Sequence, residues 1–235
     1  MEQAILKEEA VDFLWFEYKK TPEFSGGMKE AIPPNHKIVV QREKIGLSGI
    51  YKKFIEDLRS EGNFKRILKN MTPSERLNQW KNMHKELFQL IYKSCGDFRR
   101  SDVRFGAPGE EELYKIPRYQ ELNGEMAKFV DQIEYCLAQT SAQLPVIYRN
   151  LAIVHYQFIR IHPFIDGNGR IARAITDQLA IYFDIPPAMG GFPRNDEERQ
   201  EAYHKAIRAC VDDPDCSDLA LWIKGFIDIQ LESIA

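Results

Sequence analysis

Apolar residues recur at helical spacing through most of this chain. One polar, glycine-rich run breaks the pattern: His162-Pro163-Phe164-Ile165-Asp166-Gly167-Asn168-Gly169-Arg170, followed by Ile171-Ala172-Arg173. Apolar residues every three or four positions specify packed helices. The break is therefore a bend between two helices. It gathers a base, a carboxylate, an amide, two glycines and two arginines, which random packing of a helical core would not bring together.

The same periodicity predicts helices over about 3–19, 43–60, 72–94, 121–139, 145–161, 168–183, 195–210 and 217–231. Thr72-Pro73-Ser74-Glu75 is a strong helix start, with a hydroxyl cap, a first-turn proline and an acid near the positive helix end. Asn195-Asp196 caps the helix that follows it. Ser25-Gly26-Gly27 and Pro33-Pro34-Asn35 mark loops. Ile38-Val39-Val40 suggests a short strand but is too brief to decide. Gly62 ends the second helix. Residues 97–118 lose the helical period, and two extended pieces around Gly106-Ala107-Pro108-Gly109 predict a hairpin. The expected fold is all-α with one small β-hairpin. Residues 1–70 form an N-terminal helical extension, and residues 71–235 form the core with its C-terminal helices.

A chain of 235 residues with 44% hydrophobic content can bury one large core. Its net charge of −3 gives no basic excess, so Arg99, Arg100 and Arg104 make a poor nucleic-acid patch. Cys95, Cys136, Cys210 and Cys216 include no C-x-x-C pair and no histidine cluster, which argues against zinc. The acidic N-terminus lacks the apolar segment of a signal peptide, and no apolar stretch is long enough to span a bilayer. These features fit a cytoplasmic protein without a membrane partner. Delivery into a host as an effector needs no such leader and stays open.

The bend has its own chemistry. Gly167 and Gly169 allow turns and close ligand approach where a side chain would collide. The helix resuming after them offers unpaired N–H groups and partial positive charge, a natural phosphate seat. Arg170 and Arg173 share one face and suit bidentate contact with phosphate oxygens. Asp166 beside that seat becomes useful if magnesium bridges it to phosphate, or it caps the helix. Asn168 either bonds phosphate or holds the loop. His162 can take a proton from an attacking hydroxyl. Phe164 is expected to anchor the loop in the core. His36, His84, His155 and His204 have no comparable surroundings and read as structural.

The run 162–173 meets every fixed position of H-P-F-x-(D/E)-G-N-G-R-x-x-R and so resembles the Fic family. Gly96-Asp97-Phe98-Arg99 with Val103, and His155 with Phe158 to Ile161, extend the resemblance. Phe105 to Pro117 falls where that family has its flap hairpin. The resemblance implies a Fic fold and transfer of AMP from ATP to a Ser, Thr or Tyr hydroxyl of a target protein. His162 would be the general base and Asp166 the ligand of Mg2+. Gly167, Asn168, Gly169 and Arg170 would hold the inner phosphates, and Arg173 the outer one. The flap would align an extended target segment, with Lys115, Ile116 and Pro117 its first candidates. Gly167 and Gly169 favour nucleotide transfer over the kinase chemistry of Doc-like relatives, which carry Ala-Asn-Lys there.

Many members also carry an inhibitory (S/T)-x-x-x-E-(G/N) helix whose glutamate pairs with the second motif arginine. The closest segment here is Asp57-Leu58-Arg59-Ser60-Glu61-Gly62, with aspartate in place of the hydroxyl residue. Glu61 is therefore not expected to inhibit, which leaves control to a partner protein, to self-association or to another device. The motif also admits a different phosphate-containing donor, removal of AMP, or a silenced nucleotide-binding module.

Overall fold

The computed structural model describes residues 37–59, 63–91, 95–103, 115–192 and 196–232. The helix expected over 3–19, the loops at 25–35, Glu61 and the turn at 106–109 lie outside these residues. Eight α-helices occur among those described: α1 (Lys37–Arg59), α2 (Asn63–Asn70), α3 (Pro73–Phe88), α4 (Leu122–Ala138), α5 (Leu144–Ile161), α6 (Asn168–Tyr182), α7 (Glu197–Ala209) and α8 (Ser217–Glu232). No strand is present among them. The described flanks of the expected hairpin, 97–103 and 115–118, are irregular.

Helices α4 to α8 begin and end within two residues of the sequence expectation. Three earlier features differ, the first being α3, which ends at Phe88 and not near residue 94. Ile38-Val39-Val40 is helical and opens α1, since so short a run carries only a weak and context-dependent β preference. The chain also forms α2 directly after Gly62, burying Phe64 and Leu68. Helix α3 starts as its sequence dictates. The Thr72 hydroxyl accepts from the Glu75 N–H at 3.4 Å, and Glu75 Oε2 accepts from the Thr72 N–H at 2.7 Å, with Pro73 in the first turn.

Helix α6 is the central element, and every residue from Ala174 to Tyr182 on it is buried. Helices α5, α1, α2 and α3 all touch it. On its N-terminal side a chain of rings runs from Trp80 through Phe129 and Phe158 to Phe164, with centroids 5.0, 5.4 and 6.3 Å apart. Each ring contributes roughly 1.5–3 kcal/mol by leaving water. Helix α1 lies tight against α3 at Gly46, where an added Cβ would meet the Leu87 carbonyl oxygen at 2.5 Å. That approach carries Glu43 and Tyr51 towards α6.

A buried carboxylate fixes the chain beyond α6. Asp177 accepts from the N–H groups of Ala188 and Met189, both at 2.9 Å, from Gly190 at 2.8 Å, and from the Tyr51 hydroxyl. Burial raises its pKa, and the hydrogen bonds oppose that rise. The single 3-10 turn Met189–Gly191 held this way places Phe192 beside Arg173.

Candidate active site

The bend is made by residues 162–167. Helix α5 terminates at His162, which adopts a left-handed conformation (φ 50°, ψ 57°) while its N–H still bonds the Phe158 carbonyl at 3.1 Å. A non-glycine residue there is strained and persists only where its surroundings hold it. Arg99 does much of that holding. Its Nε donates to the His162 carbonyl at 2.8 Å, its Nη1 to Ser101 at 2.9 Å, and its Nη2 to Pro117 at 2.6 Å and Ile161 at 3.4 Å. Its own N–H bonds the Pro163 carbonyl at 2.8 Å. Arg99 is thus a buried tie, not part of a basic surface patch.

The His162 Nδ1 lies 3.2 Å from the Ile159 carbonyl oxygen. A carbonyl can only accept, so Nδ1 carries the proton and Nε2 carries the basic lone pair. Burial is the main reason the imidazole pKa falls, to about 4. Arg99 pushes the same way, while the bond to Ile159 and the Asp166 carboxylate oppose it. At neutral pH the ring is uncharged and able to take a proton.

The loop after it is stapled from inside. Phe164 is fully buried and stacks on His84, with centroids 4.0 Å apart and planes 10° apart. His84 Nδ1 accepts from the Gly96 N–H at 2.8 Å, so Nε2 is the nitrogen that donates to the Asp166 carbonyl at 3.2 Å. The Asn168 side chain accepts from the Phe164 N–H at 2.9 Å and donates to its carbonyl at 2.8 Å. This amide therefore holds the loop, which leaves the main chain of Asn168 as its contribution to an anion seat. Gly167 has φ 77°, and an added Cβ would sit 2.4 Å from Phe88 Cε2. Gly169 differs from the expectation of a collision: its added Cβ would meet Arg173 Nη1 at 3.5 Å and Ile159 Cδ1 at 3.9 Å, both ordinary contacts.

Charges then surround the start of α6. Asp166 Oδ1 accepts from the Gly167 N–H at 2.5 Å and from Arg170 Nη2 at 2.9 Å. Arg170 Nη1 donates to Glu43 of α1, and its guanidinium lies 4.8 Å from the centre of the Phe88 ring. The Arg170 and Glu43 side chains are 14% and 5% exposed, so water screens this pair little. Among the described residues no cluster of three or more His, Cys, Asp or Glu side chains could hold a metal. One half-buried carboxylate beside a phosphate seat fits magnesium held largely by substrate oxygens and water.

Arg173 points back towards Gly169 and lies 4.7 Å from the Phe192 ring centre. The Tyr203 hydroxyl is its electrostatic neighbour. The structure thus brings His162, Asp166, Gly167, Asn168, Gly169, Arg170 and Arg173 around one helix start. Lys115, Ile116 and Pro117 stand apart from it. They line an open groove of about 550 Å³ together with Glu121, Lys128 and Arg160. Lys115 is left-handed (φ 44°). Arg99 joins the two regions by bonding the carbonyls of both Pro117 and His162. Glu43, Arg99 and His84 were not legible as site neighbours, since their partners are far away in sequence.

Residues 74–180 match the model of the Fic/DOC family. Two curated relatives, each a protein adenylyltransferase Fic, come from Drosophila grimshawi and Drosophila willistoni. They are 33% and 35% identical over 114 residues, which is 46% of this chain. The match spans about a fifth of their length, 20% and 19% respectively. Fic-1 from C. elegans superimposes with a TM-score of 0.60 at 18% identity, covering 86% of this chain and 54% of that one. A Fic domain containing signaling protein from Bacteroides thetaiotaomicron gives 0.55 at 18% identity, over 80% and 67%. Among the described residues no helix is long and apolar enough to cross a membrane. A helical fold shared with those structures, the matched segment and the bend inside it agree: residues 74–180 form a segment similar to the Fic/DOC family.

Proposed function

We propose that the chain is a protein adenylyltransferase that moves AMP from ATP to a hydroxyl of a target protein. The observation that carries this reading is the His162 tautomer. With Nδ1–H directed to Ile159, the basic Nε2 belongs to a ring standing at the edge of the α6 start, where Arg170 and Arg173 gather. In the reaction the target O–H gives its proton to Nε2 while its oxygen attacks the α-phosphorus. The bond from that phosphorus to the bridging oxygen breaks, and pyrophosphate leaves. The α6 N–H groups and Arg170 hold the inner phosphates, and Arg173 holds the outer one. Asp166 would hold magnesium, which supplies charge neutralisation on the polyphosphate when bound. The groove beside Lys115, Ile116 and Pro117 is the proposed seat of the target segment.

Incubation with ATP labelled at the α- or the γ-phosphate tests the reading, with mass analysis of the acceptor. The α-label is expected to transfer, and His162→Ala should lower the rate by about 10²–10⁴-fold. Label arriving only from the γ-position, an adduct of another mass, or transfer indifferent to His162→Ala would overturn it.

A further inference from the structure

Outside the motif, a buried chain of hydrogen bonds runs through Thr176 and His155 to Tyr203, beside Arg173. Thr176 of α6 donates its hydroxyl proton to the Ala172 carbonyl at 2.8 Å. Its oxygen therefore accepts from His155 of α5, whose Nδ1 lies 2.9 Å away. His155 Nε2 then presents a lone pair to the Tyr203 hydroxyl of α7 at 2.7 Å. With its proton directed inward, the Tyr203 oxygen keeps its lone pairs for the neighbouring Arg173 guanidinium, which can only donate. Each link fixes the direction of the next, from a backbone carbonyl to the phenol oxygen beside the arginine. Thr176 and His155 are fully buried and Tyr203 is 4% exposed, so water does not compete.

We propose that Tyr203, oriented by His155 and Thr176, is the positioning residue that aims Arg173 at the outer phosphate and so sets the preference for a nucleoside triphosphate over a monophosphate. This rests on the phosphate-holding role given to Arg173 above. Arg173 carries a long side chain that would otherwise sample many rotamers, and ordering it costs conformational entropy. Phe192 lies 4.7 Å from its guanidinium and 5.0 Å from the Tyr203 ring, giving a stacking surface but no directional contact. The phenol oxygen beside the guanidinium favours one rotation of the fork about that surface. Burial also keeps His155 neutral, with a pKa of about 3, so no second cation forms behind Tyr203. The result is an arginine already turned over Gly169, where the absent Cβ leaves its Nη1 uncovered by a side chain at that position.

Binding of Mg·ATP and of AMP, measured by calorimetry on the whole chain, tests this in wild type, Arg173→Ala, Tyr203→Phe and Thr176→Val. Tyr203→Phe keeps the ring and removes one oxygen. It should weaken ATP binding about tenfold and AMP binding less than twofold, raising the KM for ATP more than it lowers kcat. Thr176→Val keeps its shape, loses the acceptor for His155 and should give a smaller loss of the same kind, about threefold. It also supplies the answer if Tyr203→Phe folds poorly. A wild-type ATP-to-AMP ratio retained in Tyr203→Phe or Thr176→Val, while Arg173→Ala loses it, overturns the role of Tyr203 and leaves the site reading standing. No loss of the ratio in Arg173→Ala removes the site reading and this inference together.

Discussion

Glu43 on α1 and Arg170 on α6, 127 positions apart in sequence, form an ion pair at the start of the helix where phosphate is proposed to bind. The carboxylate occupies Nη1 of the arginine and adds negative charge beside an anion seat.

Glu43→Gln is therefore expected to favour nucleotide. The amide keeps a hydrogen bond to Arg170 and removes the charge that opposes phosphate. ATP should bind about tenfold more tightly, equivalent to ~1.4 kcal/mol, and the melting temperature should drop because a shielded ion pair is lost. Calorimetry and thermal unfolding read both quantities. Unchanged or weaker ATP binding in a folded variant would mean that Glu43 only anchors α1. The contact falls on the first motif arginine and lies outside any (S/T)-x-x-x-E-(G/N) pattern, so it was not foreseen.

The two motif glycines should respond differently to alanine. At Gly167 the left-handed backbone and the 2.4 Å approach to Phe88 act together. Gly167→Ala is expected to cost about 2–5 kcal/mol from backbone strain and overpacking. At Gly169 a methyl group has room, at 3.5 Å from Arg173, inside a helix that favours alanine by up to about 1 kcal/mol. Gly169→Ala should melt at or above the wild-type temperature and yet bind ATP at least tenfold more weakly, because the methyl fills the approach to Arg173. Equal destabilisation in urea unfolding would contradict the distinction.

Acid should act on stability and on rate at separate places. Burial lowers the pKa of His84 to about 4 and of His155 to about 3, below the unfolded value of 6.5. Between those limits the unfolded chain takes up protons that the folded chain refuses. Stability from these rings is complete above pH 6.5 and declines as the pH falls towards 4, each ring adding a slope of up to about 1.4 kcal/mol per unit. Urea midpoints at pH 7.5, 6 and 5 should fall in order. His162 must be neutral to act, and its pKa of about 4 places the acid limb of label transfer near there, with a full rate at pH 5.5. Imidazole NMR showing any of these three rings titrating near 6.5 would refute that assignment.

How much the chain disclosed depended on how local each cause was. The Thr72 cap, the Asp196 cap and the bend at residues 162–169 are set by neighbours within a few positions, so patterning found them. Helix α2 escaped notice because eight residues give barely two turns, and its basic residues after Gly62 resemble a loop. Arg99 looked like surface charge. It is buried because carbonyls from Ser101, Pro117, Ile161 and His162 converge on it, and two of those lie about sixty positions away. Asn168 was assigned either to phosphate or to the loop, and its partners on Phe164 now give its side chain to the loop. Directional bonds such as those from Thr176 through His155 to Tyr203 depend on three helices meeting, and no single stretch of sequence encodes that meeting.

Since one guanidinium clasps both Pro117 and His162, the rim of the groove is coupled mechanically to the proposed proton acceptor. A segment docking badly against that rim would tilt the imidazole by leverage, without touching it. Discrimination among acceptors would then be written in turnover more than in affinity, with poor substrates gripped but seldom modified.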